Sequence, residues 1–173
     1  ECKDPSIEVD QGISQTIRNQ GKDYQPDLYK YIQLTIATNK NELKYGTCET
    51  PRKFYSVWRE ENKKWLENKL NKLVVDRTST KQDKDLISLL SINRFFDLFR
   101  NFILFDNNTK IIARYQQYFA VKEILKRIKE ENSDGTRNGG VIWHTQGSGK
   151  SLTMVMLTKA LVGPKGIKEG KVV

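Results

Sequence analysis

From His144 to Ser151 the chain reads His-Thr-Gln-Gly-Ser-Gly-Lys-Ser. Glycines at 147 and 149 let a backbone curl until successive N–H groups face a single anion. Lys150 adds one positive charge for the β- and γ-phosphates of a nucleotide, and the Ser151 hydroxyl can ligate Mg²⁺. Thr145, Gln146, Gly147, Ser148, Gly149, Lys150 and Ser151 are therefore the candidate nucleotide-binding residues. The strict pattern GxxxxGK[ST] wants a glycine where His144 stands. The bland alternative is a Gly/Ser turn that happens to carry a lysine, and the apolar residues on both sides argue against it. Two further stretches could do chemistry. In Tyr115-Gln116-Gln117-Tyr118 a side-chain amide could donate to and accept from an adenine edge together, although glutamines on an exposed helix face are common. At the other end, Glu1-Cys2-Lys3 offers a carboxylate for a Mg²⁺ that polarises a phosphodiester and activates water, with a lysine to assist. That triplet is short and arises often by chance.

The elements that must position these residues follow from periodicity and turn signals. Residues 13–20 read as a short helix, and 29–38 end in a buried strand. Asn39-Lys40-Asn41 reads as a turn, and residues 44–47 as a second strand or its edge. Residues 54–58, FYSVW, are aromatic and β-branched. They lead into an amphipathic helix with Trp65, Leu66, Leu70 and Leu73 near one face. Residues 78–84 read as a polar linker. From Asp85 to Phe105 apolar residues recur at helical spacing, which predicts one or two packed helices. Residues 106–110 read as a turn, 111–129 as a helix and 133–140 as a loop. Val141–Trp143 are expected to form a short buried strand, 146–149 a loop and 150–161 a helix. That strand–loop–helix order is what a phosphate loop needs.

The 173 residues suffice for a domain with a real core, and a net charge of +9 favours a polyanionic partner such as nucleic acid. Cys2 and Cys48 do not suggest a disulfide scaffold. A lone His144 leaves little scope for a histidine-based metal site. No apolar run approaches the roughly 18 residues of a membrane span, and the opening ECKDPS is not a signal peptide. A cytoplasmic setting is expected. The mixed-sign runs EENKKWLENK and KEILKRIKEEN read as solvated helix faces. Phe95, Phe96, Phe99 and Phe102 recur at core spacing, which favours packing over base stacking.

Taken in order, these stretches resemble the restriction (R) subunit of type I restriction-modification enzymes. The resemblance rests on ECKDPSIEV, GISQTIRNQ, KYGT with the following TP and FYSVWREE, LLSINRFFDLFRNFILFD, ARYQQYFAVKEILKRI and GGVIWHTQGSGKSLTMVMLTKAL. They cover nearly the whole chain in the family's order. Such subunits carry a PD-(D/E)xK nuclease followed by a superfamily 2 translocase motor. Motors of that class show AxxGxGK[ST], and His144 takes the alanine position. The resemblance implies an α/β chain: part of a nuclease core over residues 1–75, a helical linker over 76–105, and the first strand, phosphate loop and helix of a RecA-like ATPase lobe over 106–173. It maps Glu1 and Lys3 onto the nuclease's Mg²⁺-binding acid and catalytic lysine. Gln15 maps onto the glutamine of the QxxxY motif, although Asn19 stands at its tyrosine position. Gln117, preceded by Arg114 and Tyr115, fits the family's R-Y-x-Q arrangement better than Gln116. ATP and Mg²⁺ are the implied cofactors, with Ser151 as the ligand to the nucleotide's Mg²⁺. Double-stranded DNA and the modification and specificity subunits are the implied partners.

The nuclease's upstream aspartate, the acidic Walker B box and the second-lobe arginines do not occur in the sequence. The chain is accordingly expected to be a fragment, cut at both ends, without ATPase or nuclease turnover of its own. Open sheet edges are expected to make it marginally stable or prone to aggregate. Two alternatives stand beside this reading. One is another superfamily 2 helicase or P-loop NTPase without a nuclease; the other is a non-enzymatic DNA-binding relic.

Overall fold

The computed structural model describes residues 6–107, 109–136, 139–143 and 146–163. Its first layer is helix α1 (Val9–Asn19) on a small antiparallel sheet of β1 (Thr35–Thr38), β2 (Leu43–Gly46) and β3 (Ser56–Val57). Val9 and Ile13 are one turn apart and pack with Ala37 and Tyr55. The β1–β2 turn is held by Asn39, whose Oδ1 accepts the N–H groups of Asn41 at 3.0 Å and Glu42 at 2.9 Å. Thr38 is thereby set opposite Leu43. A one-turn helix α2 (Pro26–Tyr29) precedes β1, with proline at its start where the missing N–H costs nothing.

Three helices follow: α3 (Lys63–Leu73), α4 (Lys81–Leu89) and α5 (Ile92–Asn101). The expected linker over 78–84 is in part helical, because Thr80 and Asp83 form a capping box. Thr80 Oγ1 accepts the Asp83 N–H, and Asp83 accepts the Thr80 N–H at 2.7 Å. The apolar run of residues 85–105 also ends differently. Ile103 lies in β4 (Ile103–Asp106), which pairs with β5 (Thr109–Ile112) as a hairpin. Ile111 and Ile112 are thus strand residues, and α6 begins later, at Tyr115, running to Lys129. Helix α7 (Lys150–Val162) follows the glycine loop, as the spacing predicts.

The buried strand expected over Val141–Trp143 is absent. Val141 and Trp143 are 93% and 90% exposed. A strand is buried only when neighbours take up its backbone N–H and C=O groups, and no strand pairs with these residues among those described. Phe96 is likewise exposed, whereas Phe102 is buried.

The main core joins the sheet, the helical bridge and helices α6 and α7. Leu43 and Tyr45 of β2, Trp58 just past β3, Leu89, Leu98 and Phe102 of the helical bridge, and Ala113, Tyr118, Val121 and Met156 form one cluster. Polar ties cross the same boundaries. The Tyr45 hydroxyl donates to the Ala113 carbonyl at 2.7 Å, Thr47 Oγ1 donates to the Lys110 carbonyl at 2.7 Å, and Lys159 Nζ donates to the Ile103 carbonyl at 2.9 Å. No helix of the described residues is long and apolar enough to cross a membrane.

Candidate phosphate loop and flanking sites

Gly147 and Gly149 both adopt the left-handed conformation, at φ +76° and +83°, which a Cβ disfavours. Gly149 is the N-cap of α7, so Lys150 and Ser151 open its first turn, both exposed to solvent. The first N–H groups of a helix lack intrahelical acceptors and carry the positive end of its dipole. A curled glycine backbone, a helix start, an exposed ammonium and a hydroxyl thus meet at one edge. That set fits a polyphosphate with its Mg²⁺.

Behind the loop stands Gln117, which is 3% exposed, while Gln116 is exposed. Its Oε1 accepts the Arg114 N–H at 2.8 Å, and its Nε2 donates to the Gly149 carbonyl at 3.1 Å. That carbonyl also accepts the Thr153 N–H at 3.0 Å and the Thr153 hydroxyl at 3.1 Å. The amide therefore ties the start of α6 to the start of α7. A Cβ at Gly149 would lie 2.6 Å from Gln117 Nε2 and would displace that amide, and the left-handed backbone independently favours glycine. The structure brings Gln117 together with Gly149 and its neighbours. His144 and Thr145 lie outside the described residues; Gln146 and Gly147 are exposed, and Ser148 is half-buried.

Of the candidate nuclease residues, the structure describes Gln15 alone. Glu1, Cys2 and Lys3 lie outside the described residues. Gln15 is half-buried on α1. It borders a depression of about 470 Å³ with Arg18 and Arg52. Asp10 joins that edge to the sheet, accepting from Lys44 Nζ at 2.8 Å and Arg52 Nη2 at 2.8 Å. These two hydrogen bonds, Lys44's first, hold its carboxyl at about 2. Asn19 ends α1, and its carbonyl accepts the Gln25 N–H at 3.1 Å.

Sequence reasoning missed the polar knot around Asp97, between α5 and α6. Tyr118, next to Gln117, donates its hydroxyl to Asp97 at 3.0 Å, and Lys122 donates to the same oxygen at 2.8 Å. Burial opposes the Asp97 carboxylate, but the bonds from Lys122, Asn101 and Tyr118 together hold its pKa below the usual range. Burial, and the Asp97 charge after it, push the Tyr118 phenol up to about 12. Only the helical spacing of 97 to 101 and of 118 to 122 hinted at this pairing. A depression of about 1650 Å³ opens among α3 to α7 beside Trp65, Phe96 and Lys122, and carries none of the candidate residues.

Comparison with known proteins covers both ends of the chain. Residues 1–54 match the family model described as the type I restriction enzyme R protein N terminus, and residues 116–173 match the SWI2/SNF2 ATPase model. Over 163 residues the chain is 34% identical to a putative type I restriction enzyme MjaVIIP endonuclease subunit of Methanocaldococcus jannaschii, covering 85% of this chain. The chain belongs to the type I restriction enzyme R-subunit family. It is also 29% identical over 158 residues to the HindI endonuclease subunit of Haemophilus influenzae, covering 88% of this chain. With the SauCOLORF180P endonuclease subunit of Staphylococcus aureus the identity is 26% over 173 residues, covering 98%. The chain spans 14% of the length of the first two relatives and 17% of the third.

Proposed function

We propose that this R-subunit chain carries the ATP-binding loop of a DNA-translocating motor and the closing residues of a DNA-cleaving nuclease, joined by a helical bridge. The observation that carries the reading is the Gln117 amide held against the Gly149 carbonyl, directly behind the exposed Lys150 and Ser151. It lies within the segment that the SWI2/SNF2 ATPase model matches. In this reading Gln146 to Gly149 cradle the phosphates with Thr145, Lys150 neutralises the β- and γ-phosphates, and Ser151 ligates the nucleotide's Mg²⁺. In this reading the Arg114 and Gly149 bonds hold the Gln117 amide in place, and its second N–H and second oxygen lone pair select adenine, so ATP is the fuel.

At the other end, Glu1 would hold the nuclease Mg²⁺ and Lys3 would assist the attacking water, with Gln15 in the auxiliary role. Mg²⁺ supplies the Lewis acidity that polarises the scissile phosphodiester. Double-stranded DNA is the substrate, and modification and specificity subunits supply the sequence recognition that no motif of this chain offers. The basic composition suits phosphate contacts whose affinity falls with salt.

The two activities are separable in an assembled restriction complex carrying this segment. Lys150→Ala should abolish both ATP hydrolysis and ATP-dependent cleavage. Lys3→Ala should abolish cleavage and leave DNA-stimulated ATP hydrolysis intact. Cleavage that survives Lys3→Ala would remove the nuclease assignment, and ATP hydrolysis that survives Lys150→Ala would remove the motor assignment.

A further inference from the structure

Arg94 of α5 is a cation enclosed where five segments meet. Its guanidinium carbon lies 4.8 Å from the Trp65 ring centroid, 5.5 Å from Trp58, 5.3 Å from Phe119 and 5.7 Å from Tyr118. Nη1 donates to the Glu60 carboxylate and, at 2.7 Å, to the Ser88 carbonyl that precedes α5. The Arg94 and Glu60 side chains are 12% and 1% exposed. Arg94 Nε and Trp58 Nε1 are both buried without a hydrogen-bond partner among the described residues. Stability alone explains this arrangement poorly. A buried ion pair roughly breaks even against apolar side chains of the same volume, and two unpaired donors add cost.

What the cation does achieve is geometric. Cation–π attraction is directional, and this one holds rings from β3's edge, α3 and α6 around a single point. Tyr118 and Phe119 are the two residues after Gln117, on the first turns of α6. Tyr118 is fixed a second time, by its hydroxyl on Asp97 one turn along α5 from Arg94. Fixing those rings fixes the start of α6, and with it the amide that grips Gly149.

We propose that Arg94 is a positioning residue for the nucleotide site: it sets the Gln117–Gly149 contact from the far side of α6, so the front half of the chain tunes ATP affinity. This rests on the reading of residues 145–151 as an ATP site. The mechanism would bias one packed arrangement of α6 over others rather than transmit along a wire.

The test is titration of ATP with Mg²⁺ into an assembled restriction complex carrying this segment and into its variants, with a thermal melt of each. Arg94→Met with Glu60→Gln removes the charge pair together, leaving no buried ion alone and keeping an acceptor for the Asn62 N–H that Glu60 now binds. Trp65→Ala removes the nearest ring and leaves the ion pair in place. Both should weaken ATP binding, the charge-pair variant by roughly five- to tenfold, with melting within a few degrees of the parent. In a Gln117→Ala background the same changes should add nothing. ATP affinity unchanged in both variants, or weakened by the same factor with and without Gln117, would overturn the proposal. Failure of the parent itself to bind ATP, or parent-like binding by Lys150→Ala, would instead remove the site reading and the proposal with it.

Discussion

Two residues do most to define the loop, and they were unequally legible. Gly149 could be read from sequence, because the GxGK pattern demands a left-handed glycine before the lysine. Gln117 could be chosen over Gln116 only through the family's R-Y-x-Q pattern, and its partner could not be foreseen, because the contact joins residues distant in sequence. Gly149→Ala should lose the loop geometry on two counts, a left-handed backbone costing about 1–2 kcal/mol and the collision with Gln117 Nε2. Chemical denaturation should show that loss, and nucleotide titration should show binding fall with it. Asp10 gives a prediction in pH. Its folded carboxyl titrates at about 2, below the ordinary value of 3.8. Its contribution to stability is therefore full above about pH 4 and disappears as pH falls toward 2. Melting temperatures through that window should fall less steeply for Asp10→Asn than for the parent; equal slopes would show that the Lys44 and Arg52 contacts do not bear on folding.

At the scale of elements, the helices were the most legible part. Helix α7 begins where the glycines end, and α3 follows the apolar spacing of Trp65, Leu66 and Leu70. Short pieces escaped. The run from Asp85 to Phe105 keeps helical spacing past Asn101, so nothing local separates α5 from β4; pairing with β5 decides it. The opposite error occurred at Val141–Trp143, where an apolar run has strand composition but no described neighbour to pair with. The polar stretch around residue 80 concealed a helix start, since Thr80-Lys-Gln-Asp83 is a cap signature as well as a linker composition. Thr80→Ala should cost about 1 kcal/mol and lower amide protection through the first turn of α4. Hydrogen exchange unchanged across residues 81–85 would mean that packing against β2 and α3, rather than the cap, holds that end.

On the scale of the molecule, the resemblance predicts a nuclease part over residues 1–75, a bridge over 76–105 and a motor part over 106–173, but the buried cluster takes side chains from all three stretches. Trp58 of the front sheet packs on Tyr118 and Phe119 at ring distances of 5.5 and 5.8 Å. Sequence periodicity names such residues as buried without saying which bury one another, so the sharing was invisible before the structure. A shared core predicts cooperative unfolding. Tryptophan fluorescence in a Trp143→Phe background, which reports Trp58 and Trp65, should melt together with helical circular dichroism in one transition. Two separated transitions would show that the front sheet and the α6–α7 pair fold independently.

The most direct test of the central claim is calorimetric titration of an assembled restriction complex carrying this segment with ATP and Mg²⁺, alongside Lys150→Ala. The account predicts saturable binding of one nucleotide, weakened at least about tenfold when the ammonium that meets the β- and γ-phosphates is removed. Binding that is absent from the parent, or indifferent to Lys150, would contradict it.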